Sequence, residues 1–345
     1  MYTRTQTRAL KVGSLPVGGG APVSVQTMCT ADPHDAKAIL AQLLSCAERG
    51  CDLFRLTVPD AEAARVLGEV RRSSPIPLVA DIHFDYRCAL AAVEAGADAL
   101  RLNPGNIGGR DRVQAVARAA KARRVPIRIG VNGGSLERGE TPVGSALKHL
   151  RLLEGEGFRD VVVSVKLSDA RKTVEAYREL AERTDCPLHL GVTEAGTLIP
   201  GAVRSSVALG ILLDDGIGDT IRVSLTSRPE KEVKVALEIL RALGMRPRGP
   251  AVTSCPTCGR TKVDLCRVAS QVEDALETLS LDGRRMPKVA VMGCAVNGPG
   301  EARDADVALC GGDGDFVLYV RGRQAGRVSE EDAVRKVVEH VVSCQ

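Results

Sequence analysis

A (β/α)8 barrel followed by a small α+β domain is the fold class this sequence predicts, and three observations carry it. Eight short β-rich runs recur before residue 245 (VSVQTM, DLFRLTVP, IPLVADIHF, ALRLNPG, PIRIGVN, DVVVSVK, PLHLGVT and TIRVSLT). Segments of helical spacing such as DAKAILAQLLSCAERG, DRVQAVARAAKARR and KEVKVALEILRALG alternate with them. Eight strand–helix units of about thirty residues are the arithmetic of a closed parallel barrel. Periodicity alone does not show closure, so a doubly wound open sheet is the competing architecture; the count of eight favours the barrel.

Ahead of the first unit, Arg8 to Pro22 reads as a hairpin with its turn at Gly18, Gly19 and Gly20. After the eighth, GMRPRGP (Gly244 to Pro250) ends the preceding helix with glycine and proline, as a linker does. This divides the chain into a barrel domain, 1–245, and a second domain, 246–345, which is within the usual size range for one domain. The second domain reads as a cysteine loop, a helix (Arg267 to Ser280), a strand (Lys288 to Met292), a cysteine turn, two strands (Ala305 to Leu309 and Phe316 to Arg321) and a closing helix (Glu330 to Val342).

Composition narrows the function. Lys and Arg total 47 against 43 Asp and Glu, and aromatics are 2%, so neither the charge nor the stacking surface for nucleic acid is present. No run of 18 apolar residues suits a membrane span, and the N-terminal MYTRTQTRALKVG lacks a signal-like apolar stretch. Eleven cysteines, an odd number scattered mostly through apolar patterns, fit a reducing compartment, and a cytoplasmic location is expected. Eight of them (Cys29, Cys46, Cys51, Cys88, Cys186, Cys266, Cys310 and Cys344) read as small buried or incidental thiols.

In a parallel barrel, side chains at the C-terminal strand ends converge on one mouth. Polar groups recur there: Arg55, Asp81 and His83, Arg101 and Asn103, Arg128 and Asn132, Lys166, Thr193 and Glu194, Arg222 and Ser224. Five cations sharing one rim without counter-ions carry a large desolvation penalty, so a bound anion is expected, and arginine forks suit phosphate oxygens. Asp81 and Glu194 are the expected carboxylates among them. The glycine-rich NPGNIGG (Asn103 to Gly109) is a weaker signal for an oxyanion cradle.

Chemistry is concentrated in SCPTCGR and GCAVNGPGEA. Cys255 and Cys258 have the two-residue spacing of ligands to one metal centre, and Cys294 stands 36 residues after Cys258. A redox CxxC leaves Cys294 unused, and structural zinc wants a fourth strong ligand where no histidine is near. An iron–sulfur cluster accepts three thiolates and something weaker, and the stiff NGPG turn would swing Glu301 back toward a metal on Cys294. Zinc and cluster both remain open on spacing alone. A carboxylate ligand exchanges more readily than thiolate, so Glu301 would suit a centre that opens to substrate.

These motifs, with VGGGAPVSVQTM, PLVADIHFDYR, RLNPGNIG, IRIGVNGGSLE, VVVSVKLSD, PLHLGVTEAG and ILLDDGIGDTIRVSLT, resemble those of the 4-hydroxy-3-methylbut-2-enyl diphosphate synthase family over nearly the whole chain. The resemblance implies a compact bacterial-type, flavodoxin- or ferredoxin-dependent oxidoreductase of isoprenoid biosynthesis. It would convert 2-C-methyl-D-erythritol 2,4-cyclodiphosphate to 4-hydroxy-3-methylbut-2-enyl diphosphate through a 4Fe-4S cluster. Carried over residue by residue, it implies cluster ligands Cys255, Cys258, Cys294 and Glu301. It implies diphosphate contacts from Arg55, Arg101, Arg128, Lys166 and Arg222, with His83, Asn132, Thr193 and Ser224, and Glu194 as acid or base. The rival is a zinc-stapled phosphate-binding barrel without redox activity. Because the last barrel helix ends at the face opposite the mouth and the linker is short, a head-to-tail homodimer with cross-subunit sites is expected.

Overall fold

The computed structural model describes residues 6–103, 106–132, 139–246, 252–277, 279, 287–294, 300 and 303–343. Two compact units divide the chain, Met1–Arg246 and Pro247–Gln345.

In the first unit eight strands form one sheet: β3 (Ser24–Met28), β4 (Leu53–Thr57), β5 (Leu78–Asp81), β6 (Ala99–Leu102), β7 (Ile127–Asn132), β8 (Val161–Lys166), β9 (His189–Leu190) and β10 (Thr220–Ile221). Every ladder is parallel, and each strand pairs with its neighbours in sequence except across two seams. At one seam β10 pairs with β3. At the other, an isolated parallel bridge joins Val163 to Leu188, with Val163 N–H donating to Pro187 O at 2.9 Å. The sheet therefore curls into a nearly closed barrel, and the open doubly wound alternative is excluded.

Eight helices surround it: α1 (Ala36–Glu48), α2 (Ala61–Ser73), α3 (Tyr86–Ala95), α4 (Arg110–Arg123), α5 (Pro142–Gly155), α6 (Ala170–Arg183), α7 (Leu198–Asp214) and α8 (Pro229–Ala242). Asp35, Asp60, Asp85, Thr141 and Asp169 start five of them by accepting a first-turn amide hydrogen bond on the side chain. Strand alternation separates two environments. Leu78, Ala80 and Ile82 belong to the core under the helices, whereas Val79 packs inside the barrel.

The N-terminal hairpin is β1 (Leu10–Val12) and β2 (Leu15–Val17), with Leu10 opposite Val17. Its turn is at Gly13 and Ser14, not at Gly18 to Gly20 as the glycine run suggested. Gly13, at φ 58°, supplies the turn, and the three later glycines, at φ 78°, 60° and 83°, carry the chain tightly past Arg8 and Ala9. Leu10, Val12 and Val17 pack with Leu53, Val79, Ala99 and Val162 and plug the barrel floor. The chain leaves the barrel at this same face. Arg246 pairs with Asp52 and donates to Val23 O at 3.2 Å, and both partners immediately precede barrel strands.

The second unit is a five-stranded mixed sheet in sequence order: β11 (Val252–Ser254), β12 (Val289–Met292), β13 (Val307–Gly311), β14 (Phe316–Val320) and β15 (Arg323–Val328). The first three strands are parallel and the last two join antiparallel. Helices α9 (Leu265–Glu277) and α10 (Ala333–Ser343) bury Val268, Val272, Val337 and Val341 against Val289, Val291, Val307 and Leu309. Sequence periodicity missed two strands. β11 is only three residues long, and β15, RQAGRV, is an exposed edge with little apolar alternation. β15 forms because Arg321 and Gly322, at φ 50° and 73°, make a tight hairpin turn after β14.

Candidate active site

The predicted cations do gather in the barrel, but at several depths and not as one unneutralised rim. Arg128 is the second residue of β7, Arg55 the third of β4, Arg101 the third of β6 and Lys166 the last of β8; Arg222 follows β10. Asp81, with 0% exposure, sits between them. It accepts from Arg55 Nη2 at 2.7 Å and Arg101 Nη1 at 3.2 Å, and its Oδ2 lies 3.1 Å from His83 Nε2. Burial by itself raises the Asp81 pKa. The charge of Arg55, the His83 hydrogen bond and the charge of Arg101 outweigh that and hold the carboxyl well below its ordinary range.

Arg222 reaches a carboxylate that sequence reasoning missed. Its Nε and Nη2 each lie 3.2 Å from a Glu232 oxygen, and Glu232 also accepts from Thr27 Oγ1 and Leu225 N. Glu232 is on α8, where a glutamate in a helical first turn carries no sequence signal of reaching the barrel. Three of the five cations are thus half of an internal ion pair, so counter-ions already stand among cations that the sequence pattern showed without them. The remaining two lack a carboxylate among the described residues. Arg128 donates to Gln26 Oε1 at 2.6 Å, and Lys166 Nζ is buried with no hydrogen-bond partner among the described residues. Five cations against two carboxylates still leave a positive interior, and burial followed by neighbouring arginines pushes the pKa of both Arg128 and Lys166 well down.

Two strand-region glycines make the arrangement possible. A Cβ on Gly191 would fall 2.7 Å from Lys166 Nζ, and one on Gly130 would collide with the Arg101 guanidinium, 2.8 Å from its Nη2. Strand-interior glycine marks a close approach, which is the signal that could have found both. His189 was also missed: it is fully buried, its Nδ1 lies 2.7 Å from Thr220 Oγ1, and its Nε2 has no partner among the described residues.

Thr193 and Glu194 stand beyond the short β9, Thr193 half-buried and Glu194 exposed with φ 52°. Asn103 is buried just past β6, and Ser224 is half-buried beyond β10. The Asn132 side chain and residues 104–105 of NPGNIGG lie outside the described part of the structure.

In the second unit, Cys255 follows β11 and Cys294 follows β12 by two residues, at the same end of adjacent parallel strands. Gly293 N–H donates to Cys255 Sγ at 3.2 Å, a bond that supports negative charge on sulfur. The Cys258 turn is closed by Thr261, whose N–H donates to Cys258 O at 2.9 Å. A Cβ on Gly293 would fall 2.6 Å from Thr261 Oγ1, so this glycine lets the Cys255–Thr261 loop lie against the Cys294 turn. Among the described residues no three His, Cys, Asp or Glu side chains stand as a ready metal-ion set. Glu301 lies outside the described residues. Two thiols at one sheet end, Cys255 and Cys294, and a third in the loop that follows Cys255 are the soft donors an iron–sulfur cluster takes. Cys310 is buried instead, and burial, then Cys294, push its thiol up to about 11.

Comparison with known proteins decides the family. The model of the GcpE TIM-barrel domain matches residues 7–237, and that of the GcpE protein C-terminal domain matches residues 251–343. The chain belongs to the GcpE family. A relative from Maridesulfovibrio salexigens named 4-hydroxy-3-methylbut-2-en-1-yl diphosphate synthase (flavodoxin) is 53% identical over 342 residues, 96% of this chain and 94% of the relative. A protein of the same name from Geobacter sulfurreducens is 51% identical over 348 residues, 98% of each chain. Among solved structures, dihydropteroate synthase from Yersinia pestis matches at a TM-score of 0.53 and 13% identity, over 68% of this chain and 98% of its own. At that identity it shows the barrel fold alone.

Proposed function

We propose that this GcpE-family chain catalyses the reductive ring opening and dehydration of 2-C-methyl-D-erythritol 2,4-cyclodiphosphate to 4-hydroxy-3-methylbut-2-enyl diphosphate, with flavodoxin as electron donor. Its relatives carry that synthase name over nearly their whole length. The observation that carries the substrate class is the barrel interior, where among the described residues five basic side chains face two carboxylates and Lys166 Nζ has no hydrogen-bond partner. A diphosphate supplies the missing negative charge. Arg55, Arg101, Arg128, Lys166 and Arg222 hold it. His83, Asn132, Thr193 and Ser224 orient it by hydrogen bonds, fixing the reacting carbons before electrons arrive.

Glu194, exposed beyond β9, moves a proton at the substrate oxygen. Cys255, Cys258, Cys294 and Glu301 would hold a 4Fe-4S cluster, which supplies single electrons and a Lewis-acidic iron when bound. Glu301 is its exchangeable ligand. The enzyme works in a reducing cytoplasm, which suits eleven cysteines, an odd number.

The site is completed between two copies. The chain leaves the barrel at the floor, held by Arg246, and only 247–251 separate Arg246 from β11, about 20 Å fully extended. A domain starting from the floor on so short a tether serves the mouth of a second subunit more readily than its own. An exposed apolar stripe on α7, with Ile199 76%, Val203 58% and Val207 49% exposed, offers a face for such a dimer.

Anaerobic iron and sulfide analysis beside a turnover assay tests the function. About four irons and four sulfides per chain, with substrate-dependent oxidation of reduced flavodoxin, are expected. A colourless zinc protein without turnover would overturn it. Glu301→Ala should keep the cluster and lose most activity, whereas Cys294→Ser should largely prevent assembly.

A further inference from the structure

Among the described residues, Lys166 is the one cation of the site with no hydrogen-bond partner and no carboxylate beside it. Its side chain is 7% exposed and lies against Gly191, where a Cβ would come within 2.9 Å of Cε and 2.7 Å of Nζ. The groups around it come from several elements. Arg222 beyond β10, Arg128 on β7 and Arg55 on β4 oppose its charge, and Glu232 on α8 favours it more weakly. His189 on β9 is also close enough to feel the Lys166 charge. Glu232 is already committed to Arg222, and the other interior carboxylate, Asp81, to Arg55 and Arg101.

An ammonium in such a place pays for desolvation three times over, in burial, in repulsion and in unmade hydrogen bonds, whereas a neutral amine avoids all three. We propose that Lys166 stands uncharged in the substrate-free enzyme and takes up a proton from solvent when the diphosphate binds, returning it when a diphosphate product leaves. The inference rests on the barrel mouth being the diphosphate site. Two ionised phosphoryl groups reverse the local field and offer acceptors to all three N–H bonds, so binding itself creates the charge that holds the ligand. Binding is therefore linked to pH. Affinity is constant below the substrate-free pKa of Lys166 and falls tenfold per pH unit between that value and the higher substrate-bound one.

The cyclic diphosphate makes the proton countable, because each of its phosphorus atoms bears a single strongly acidic oxygen and neither titrates near neutrality. Calorimetric binding of 2-C-methyl-D-erythritol 2,4-cyclodiphosphate to the full-length, cluster-loaded protein, without reductant, is repeated at pH 8 in buffers of different ionisation enthalpy. The slope of observed enthalpy on buffer enthalpy should report an uptake approaching one proton per site. Lys166→Arg, whose guanidinium is charged in both states, should bind with an uptake near zero. A flat slope in the unmodified protein overturns the inference while leaving the diphosphate site intact. Undiminished uptake in Lys166→Arg also overturns it, since the proton then goes to another group such as His189. Absence of binding by the unmodified protein overturns the diphosphate site and this inference together.

Discussion

Asp81 and Arg128 both sit inside the barrel, yet removing them has opposite consequences. Asp81→Asn strips the carboxylate from Arg55 and Arg101 and leaves two cations uncompensated, so a loss of roughly 3 kcal/mol or more in denaturant unfolding is expected. Its folded-state pKa is depressed, so this contribution is fully present above the ordinary carboxylate range of about 4 and is lost only as the pH falls toward the depressed value. The stability gap between the unmodified protein and Asp81→Asn should therefore stay level from neutral pH to about 4 and close below it. Among the described residues Arg128 has only the Gln26 amide oxygen, so Arg128→Ala should weaken substrate binding by about 2 kcal/mol without a matching fall in stability. A variant that binds normally and melts earlier would mark Arg128 as structural. Lys166 carries the other sign: the native state binds fewer protons than the unfolded chain between its depressed value and the ordinary 10.5. Stability of the substrate-free protein should rise with pH across that window, and Lys166→Met should flatten the slope. The residue types at these positions were legible in the sequence, because arginine and lysine inside strand runs are unusual. Their pairing was not, since Glu232 lies ten residues beyond Arg222 on a helix.

The hairpin β1–β2 and the helix α7 test element-level claims. Leu10→Ala removes a contact between the plug and Leu53, Val79, Ala99 and Val162, and should cost about 2–4 kcal/mol of stability. Its KM should change little, because the plug lies at the opposite end from the mouth. On α7, Val203→Glu replaces an exposed apolar residue and should leave the fold intact while shifting sedimentation from the proposed dimer toward monomer. An unchanged dimer would remove α7 from the interface. Both elements show what periodicity reports and what it omits. The short β-rich runs of the barrel strands predicted their existence, but the hairpin turn went to a single glycine at φ 58° and not to the three-glycine run. β15 is mostly exposed, with little apolar alternation, and exists because a tight turn folds it back onto β14 as a hairpin.

For the whole molecule, the proposed cross-subunit site predicts complementation. Arg128→Ala and Cys294→Ser subunits, each inactive alone, should regain activity when mixed, because one working site assembles in each heterodimer. No recovery, with heterodimers present, would sink that assembly. What the sequence by itself determined is the part of the protein written in local pattern: eight strand–helix units, a proline- and glycine-marked division, and cysteines at ligand spacing. Those features depend on neighbours a few residues apart, so a linear reading recovers them. Tertiary structure alone decided closure of the barrel through the bridge from Val163 to Leu188, the neutralisation of three cations by Asp81 and Glu232, and the solitary state of Lys166. These are set by which side chains meet across strands and helices distant in sequence, and by how much water is excluded where they meet. Charge inside a protein acquires its energetic meaning only from that geometry.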